Sequence, residues 1–191
     1  MAGDVIYRTI TAADSAAVID LANQVHGDNY LSEESLAALL AGGTVADVKL
    51  NWLAERDGEV LGVRLTLAPG NWPVDDACTP TKWPVPAAQM CYFKCAAVSE
   101  RARGLGIGKQ LLQCSIDAAK QLGCKAGLAH IWLQSPQNSA YEYFSRCGGV
   151  LISTHPDRWL QASLEDGYYC PVCDGTCRCE AGEMILVFEG Q

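Results

Sequence analysis

No apolar segment of the 191-residue sequence approaches the length of a membrane span, so no bilayer-crossing helix is expected. Basic residues are few: 14 Lys and Arg stand against 22 Asp and Glu, a net charge of -8. A general nucleic-acid binder would carry the opposite balance, and that class is disfavoured. An acidic surface suits a cationic amine as partner, although solubility is its usual meaning. There is no internal repeat and no low-complexity tract. The opening Met-Ala-Gly-Asp-Val has neither the basic region nor the apolar run of a secretory signal, which points to the cytoplasm. The ten cysteines are then expected as thiols or metal ligands rather than disulfides.

Apolar residues make up 49% of the chain, enough for a sizeable core, and residues 1–191 read as one domain. Its centre is the stretch from Met90 to Gly123. Met90 to Val98 is an apolar run of strand length, and Gly104, Gly106 and Gly108 alternate through the turn behind it. Leu111, Leu112, Ile116, Ala119 and Leu122 follow at helical spacing, and Gly123 caps the helix. Glycines at a helix start leave backbone N–H groups and the positive dipole end open to a phosphate or pyrophosphate. Two phosphate-loop patterns are missing here. Lys109 is followed by Gln110 rather than the Ser or Thr of the Walker pattern, and it stands where Gly-x-Gly-x-x-Gly from Gly104 needs its third glycine.

What remains is Arg103-x-x-Gly106-x-Gly108, with Val98 eight residues before Gly106. This resembles the coenzyme A pyrophosphate loop of the GNAT N-acetyltransferase superfamily. The order along the chain fits the resemblance. Val5–Ile10 reads as a strand, and Thr11 with Asp14 as a capping pair before a helix with Val18, Ile19, Leu21, Ala22 and Val25 on one side. Ser32 caps a second helix, which Gly42-Gly43 stops. Leu50–Arg56 and Val60–Leu67 form a hairpin over Asp57-Gly58. Beyond the centre, Ala126–Leu133 is a fifth strand, Pro136–Cys147 a short helix, Val150–Thr154 a sixth strand and Glu183–Glu189 a seventh. The resemblance implies an α/β fold with a mixed, mostly antiparallel sheet flanked by helices and splayed between strands four and five. Two segments depart from it. Residues 69–89 hold five of the eight prolines with Trp72, Trp83, Asp75 and Asp76. They read either as a wall of the amine pocket, with aspartates attracting a cation, or as a proline-stiffened excursion. Residues 157–182 are an insertion rich in cysteine.

The resemblance also implies an activity, direct transfer of an acetyl group from acetyl-CoA to a primary amine in a ternary complex. It places coenzyme A on Ala96, Val98, Arg103, Gly104, Gly106, Gly108, Lys109 and Asn138. The oxyanion donor would be the backbone N–H of Ala96, at a bulge two residues before Val98. Tyr92 and Lys94 share a face of the same strand and would meet the amine. The family's proton-donating Tyr corresponds to Phe144, which has no proton to give. Tyr141, one turn away, or Tyr143 would substitute, or the thiolate would leave unprotonated. His26 and His130 read as packed or exposed rather than catalytic. The alternative is a non-catalytic acetyl-CoA-binding module with a metal- or redox-sensing cysteine cluster. The acceptor and the oligomeric state stay open, a homodimer included.

That cluster is Cys170-Pro-Val-Cys173-Asp-Gly-Thr-Cys177-Arg-Cys179. Four thiols in ten residues suit tetrahedral zinc. The tight Cys177-x-Cys179 spacing leaves His155 as a replacement ligand, and unligated or redox-active thiols as alternatives. Buried thiols acting as small apolar residues account for Cys91, Cys95, Cys114, Cys124 and Cys147.

Overall fold

A computed structural model describes residues 3–188. Its main sheet has seven strands: β1 (Ile6–Thr9), β2 (Trp52–Arg56), β3 (Glu59–Leu67), β4 (Met90–Val98), β5 (Ala126–Trp132), β6 (Val150–His155) and β7 (Ala181–Val187). Their order is β1-β2-β3-β4-β5-β7-β6, and every neighbouring pair is antiparallel except β4–β5. Helices α1 (Ser15–His26) and α2 (Glu33–Gly42) cover one face, α3 (Ile107–Gln121) and α4 (Ser139–Arg146) the other. The expected mixed, mostly antiparallel sheet flanked by helices is therefore present.

Local chemistry explains the boundaries. The Thr11 N–H donates to Asp14 Oδ2 at 2.8 Å, closing the expected cap as a short 3-10 turn ahead of α1. Ser32 and Ser35 cap α2 reciprocally, each side chain accepting the other's backbone N–H. On the α1/α2 side Val18, Leu21 and Leu36 bury against Leu53, Val63, Leu65 and Cys95. On the other, Leu112, Ile116 and Phe144 bury against Cys91 and Phe93.

Several boundaries differ from the sequence reading. A two-stranded hairpin, Thr44–Val45 with Val48–Lys49, precedes β2. The helix expected from Pro136 starts at Ser139 behind a 3-10 turn. β7 starts at Ala181, inside the expected insertion; Glu189 lies outside the described residues. The insertion itself contains a helix, α5 (Leu160–Glu165). The bulge in β4 is at Lys94, not at Ala96. Cys95 pairs with Leu65 and Phe93 with Thr66, which leaves Lys94 as the extra residue, while Ala96 pairs in register with Arg64. The extra residue carries Phe93 to the α3/α4 core and Cys95 to the α1/α2 core, one strand serving both.

Two half-buried histidines make the fold sensitive to acid. Burial pushes the imidazoles of His26 and His130 down to about 4, whereas an unfolded histidine titrates near 6.5. Between those values the unfolded chain binds more protons, so stability falls as pH falls through that window. Thermal melting is expected to drop steadily from pH 6.5 to pH 4, above the range where most carboxylates titrate. A melting temperature flat across that interval contradicts the reading.

Candidate active site

The site begins where β4 and β5 part. They pair only at Met90–Ala126, Cys91–Gly127 and Tyr92–Leu128, so a cleft opens past Tyr92. The chemistry of its β4 edge follows from register. The Ser99 N–H donates to Leu61 O at 2.9 Å, so residues 99, 97 and 95 turn their backbone groups toward β3. Ala96 and Val98 then turn both N–H and C=O toward the cleft. His26 Nε2 lies 3.1 Å from the Ala96 carbonyl, on that edge, and donates to it.

At the mouth of the cleft stands the glycine turn. Gly104 and Gly106 take φ of +80° and +78°, a region only glycine enters readily, and an added Cβ at either would meet nothing within 4 Å. Backbone conformation, not space, requires these glycines. The first bond of α3 runs from Gln110 N–H to Gly106 O at 3.0 Å. The N–H groups of Ile107, Gly108 and Lys109 precede it and carry the positive end of a 15-residue helix. The arrangement is a ready anion site at the end of an open, backbone-lined groove.

The tyrosines under the cleft separate clearly. Phe144 is fully buried, edge-on to Phe93 at 5.9 Å. The Tyr143 hydroxyl donates to Gly108 O at 2.8 Å in the first turn of α3 and accepts from Arg64 Nη2 at 3.0 Å. Burial raises its phenol above the ordinary tyrosine value, with Arg64 opposing. Tyr141 is half-buried against the same core, and among the described residues nothing hydrogen-bonds its hydroxyl. Asn138 is exposed and caps α4 in the left-handed region, φ 54°. Arg103 and Lys109 are exposed beside the turn.

On the α1/α2 side, polar groups converge on Tyr92 and Lys94. His130 Nε2 donates to the Ala77 carbonyl, so Nδ1 of the neutral ring accepts from the Tyr92 hydroxyl at 2.9 Å. The Lys94 ammonium sits 6.0 Å over the Tyr30 ring, and burial lowers its pKa. Trp72 stacks on Tyr92 at 5.5 Å. Asp75 is not free to attract a cation, because Arg158 from the insertion pairs with it at 3.0 Å. Glu183 fastens the proline-rich loop. Its carboxylate accepts from Thr79 N at 3.0 Å, Thr79 Oγ1 at 2.6 Å, Trp83 Nε1 at 2.8 Å and His155 Nε2 at 2.9 Å. Burial raises the Glu183 carboxyl, and the hydrogen bonds from Thr79, His155 and Trp83 more than offset it, holding it below the usual value. The sequence marked His130 only as packed or exposed and did not single out Arg64 or Glu183. The available signal was a charged residue inside an otherwise apolar strand.

The model of the Acetyltransferase (GNAT) family matches residues 17–149. The chain belongs to that family. No curated protein sequence matches it. Among solved structures, the GNAT fold recurs in Ard1 from Thermoplasma volcanium, 13% identical with a TM-score of 0.69, covering 97% of this chain and 99% of that one. It recurs in the ribosomal-protein-S18-alanine N-acetyltransferase from Escherichia coli, 15% identical, TM-score 0.66, covering 98% and 97%. A third is yncA from Salmonella typhimurium, solved with its cofactor acetyl-CoA, 17% identical, TM-score 0.66, covering 98% and 95%.

Outside the matched residues of this GNAT chain lies the cysteine cluster. The Sγ atoms of Cys170, Cys173, Cys177 and Cys179 all lie within 4.8 Å of one another, with Cys173–Cys179 at 3.6 Å and Cys170–Cys179 at 3.8 Å. A tetrahedron of ~2.3 Å zinc–sulfur bonds has edges of about 3.8 Å, so the donor set fits such an ion. Backbone N–H groups of Cys173 and Arg178 point at Cys170 and Cys173 sulfurs, at 3.5 and 3.4 Å, as suits thiolates. The short Cys177–Cys179 spacing does not divide the set, because Trp132, Trp159 and Tyr168 wrap all the thiols into one cluster. His155 is not among the residues whose ligand atoms converge there, and its Nε2 donates to Glu183.

Proposed function

We propose that this GNAT chain moves an acetyl group from acetyl-CoA to a primary amine by direct attack within a ternary complex. The observation that carries the reading is the cleft, an anion-binding helix start at its mouth and Ala96 and Val98 backbone groups along its edge. Coenzyme A pyrophosphate would rest on the N–H groups from Arg103 to Lys109, with Asn138 near the mouth. The pantetheine arm would run along Val98, and the Ala96 N–H would hold the thioester oxygen as it gains charge. The amine would enter from the side of Tyr92 and Lys94. His130, near 4, is too weak a base to hold an amine's proton at neutral pH, and its role is to orient Tyr92. The same reading gives the four thiols a zinc ion, which would supply fixed bonds and no chemistry.

The test is acetyl transfer to a panel of small and peptidic amines, read by mass spectrometry of the acetylated amine. A thiol-colour assay would be confounded by the ten cysteines. A mass shift dependent on protein and acetyl-CoA is expected. Tight acetyl-CoA binding with no acetylated product would favour the second reading, a binding module, for which Phe144 at the proton-donor position speaks. The hydroxyls can be separated as well. Tyr143→Phe is expected to lower kcat by roughly tenfold to a thousandfold, and Tyr141→Phe by less. Equal kinetics for Tyr143→Phe and the unmodified chain would remove Tyr143 from the chemistry.

A further inference from the structure

Arg64 is a buried charge under the cleft that no carboxylate among the described residues balances. It lies in the middle of β3, 3% exposed, and no carboxylate among the described residues pairs with it. Its Nη2 donates to the Tyr143 hydroxyl, and its Nε, also buried, has no hydrogen-bond partner. A guanidinium cannot shed its proton, so this charge stays, and burying it alone is costly. The faces of Phe93 at 5.1 Å and Tyr143 at 6.0 Å offset only part of that cost. Cys91, Cys95 and Cys147 also lie within reach of its field, but burial holds each of those thiols above the ordinary value, so none supplies the anion.

The position of this charge matters. Arg64 pairs across the sheet with Ala96, whose N–H faces the cleft. Phe93 is the first β4 residue past the last β4–β5 pair, and Tyr143 bridges to Gly108 in the first turn of α3. The guanidinium is thus bracketed by the closed end of the cleft and the phosphate-binding turn. We propose that Arg64 stabilises the negative charge of the departing coenzyme A sulfur through the field of its buried guanidinium, which no carboxylate neutralises. The proposal rests on the acetyltransferase reading. In the step, the amine nitrogen bonds to the thioester carbon, and the C–S bond breaks with its electron pair going to sulfur. The amine's proton passes to water, and the thiolate takes a proton from water after release. No tyrosine at position 144 is then required, which accounts for Phe144 in a chain that otherwise keeps the cleft.

Two variants, Arg64→Met and Arg64→Lys, test this beside the unmodified chain. An apolar side chain of similar length removes an uncompensated charge, so Arg64→Met is expected to melt no lower than the unmodified protein. Its affinity for coenzyme A by calorimetry should stay within about threefold, while kcat falls about a hundredfold, the scale of losing one preorganised charge-stabilising group. The deciding readout needs no turnover. The thiol pKa of bound coenzyme A, followed by NMR of a carbon-13 label beside its sulfur, should rise by about one unit or more in Arg64→Met and return most of the way in Arg64→Lys. An unchanged thiol pKa in Arg64→Met overturns the proposal, whether or not that variant is stable. A shifted thiol pKa with no acetylated amine formed by the unmodified protein supports the charge role and removes the transferase reading instead.

Discussion

Replacing Gly106 with valine is expected to abolish coenzyme A binding in a protein that still folds. Gly106 adopts φ +78°, and an added Cβ there would meet nothing within 4 Å. The penalty is in the backbone: a left-handed conformation costs an ordinary residue about 1–2 kcal/mol, and a β-branched one more. The turn would re-form with negative φ, and the N–H groups from residue 104 to 108 would no longer converge on one anion. The core lies elsewhere, with Ile107 and Leu111 held by Leu61 and Ala54. Calorimetry on the variant, beside its melting curve, should show a fold retained and binding lost. Unchanged affinity in a folded Gly106→Val would mean that the turn does not hold the pyrophosphate.

Removing the zinc proposed for the four thiols is expected to disable the proposed amine side and spare the glycine turn. The cysteine loop is clamped to the segment between α1 and α2. Tyr168 Oη donates to His26 O at 2.9 Å, Tyr169 N–H to Asp28 O at 3.1 Å, and Asn29 Nδ2 to Gly167 O at 3.0 Å. The fit at Gly27 is closed, since an added Cβ would stand 2.2 Å from Tyr169 O. His26 in turn donates to Ala96 O, and Tyr30 packs 4.5 Å from His26. At its other end the loop accepts the Arg158 N–H on Cys179 O at 3.3 Å, and the Arg158 side chain holds Asp75. Metal binding in such loops becomes folding energy. Chelation should therefore speed hydrogen exchange across residues 24–32 and 157–180 and lower the melting temperature by about 5 °C or more. Amine kcat/KM should fall about tenfold or more, because a displaced positioning loop costs rate steeply. The glycine turn touches none of these contacts, so coenzyme A should still bind through its pyrophosphate. Elemental analysis finding no zinc or iron, with four freely titratable thiols, would leave the cluster without this role. Exchange unchanged on removal of a metal that was bound would break the link to the amine side.

The parts legible in the sequence are those that local chemistry fixes. The strand–turn–helix from Met90 to Gly123, the Asp57-Gly58 hairpin and the Ser32 cap depend on residues close in the chain. The parts that were not legible depend on partners far along it. A bulge is a mismatch between two strands, and nothing in Phe93-Lys94-Cys95 alone says which residue of β4 will lack a partner in β3. Glu183 looks like one charged residue in a strand until Thr79, Trp83 and His155, from 28 to 104 residues away, close around its carboxylate. In the proline-rich loop Trp72 stacks on Tyr92, and Asp75, one of the two aspartates expected to attract a cation, already has one in Arg158, supplied by the insertion.

The account turns on where acetyl-CoA lies, and a crystal structure of the complex reads that directly. The prediction is a pyrophosphate on the backbone from Arg103 to Lys109, a pantetheine arm between β4 and β5, and the thioester oxygen about 2.7–3.1 Å from the Ala96 nitrogen. A thioester placed away from Ala96, or an acetyl-CoA bound outside the cleft, would contradict it.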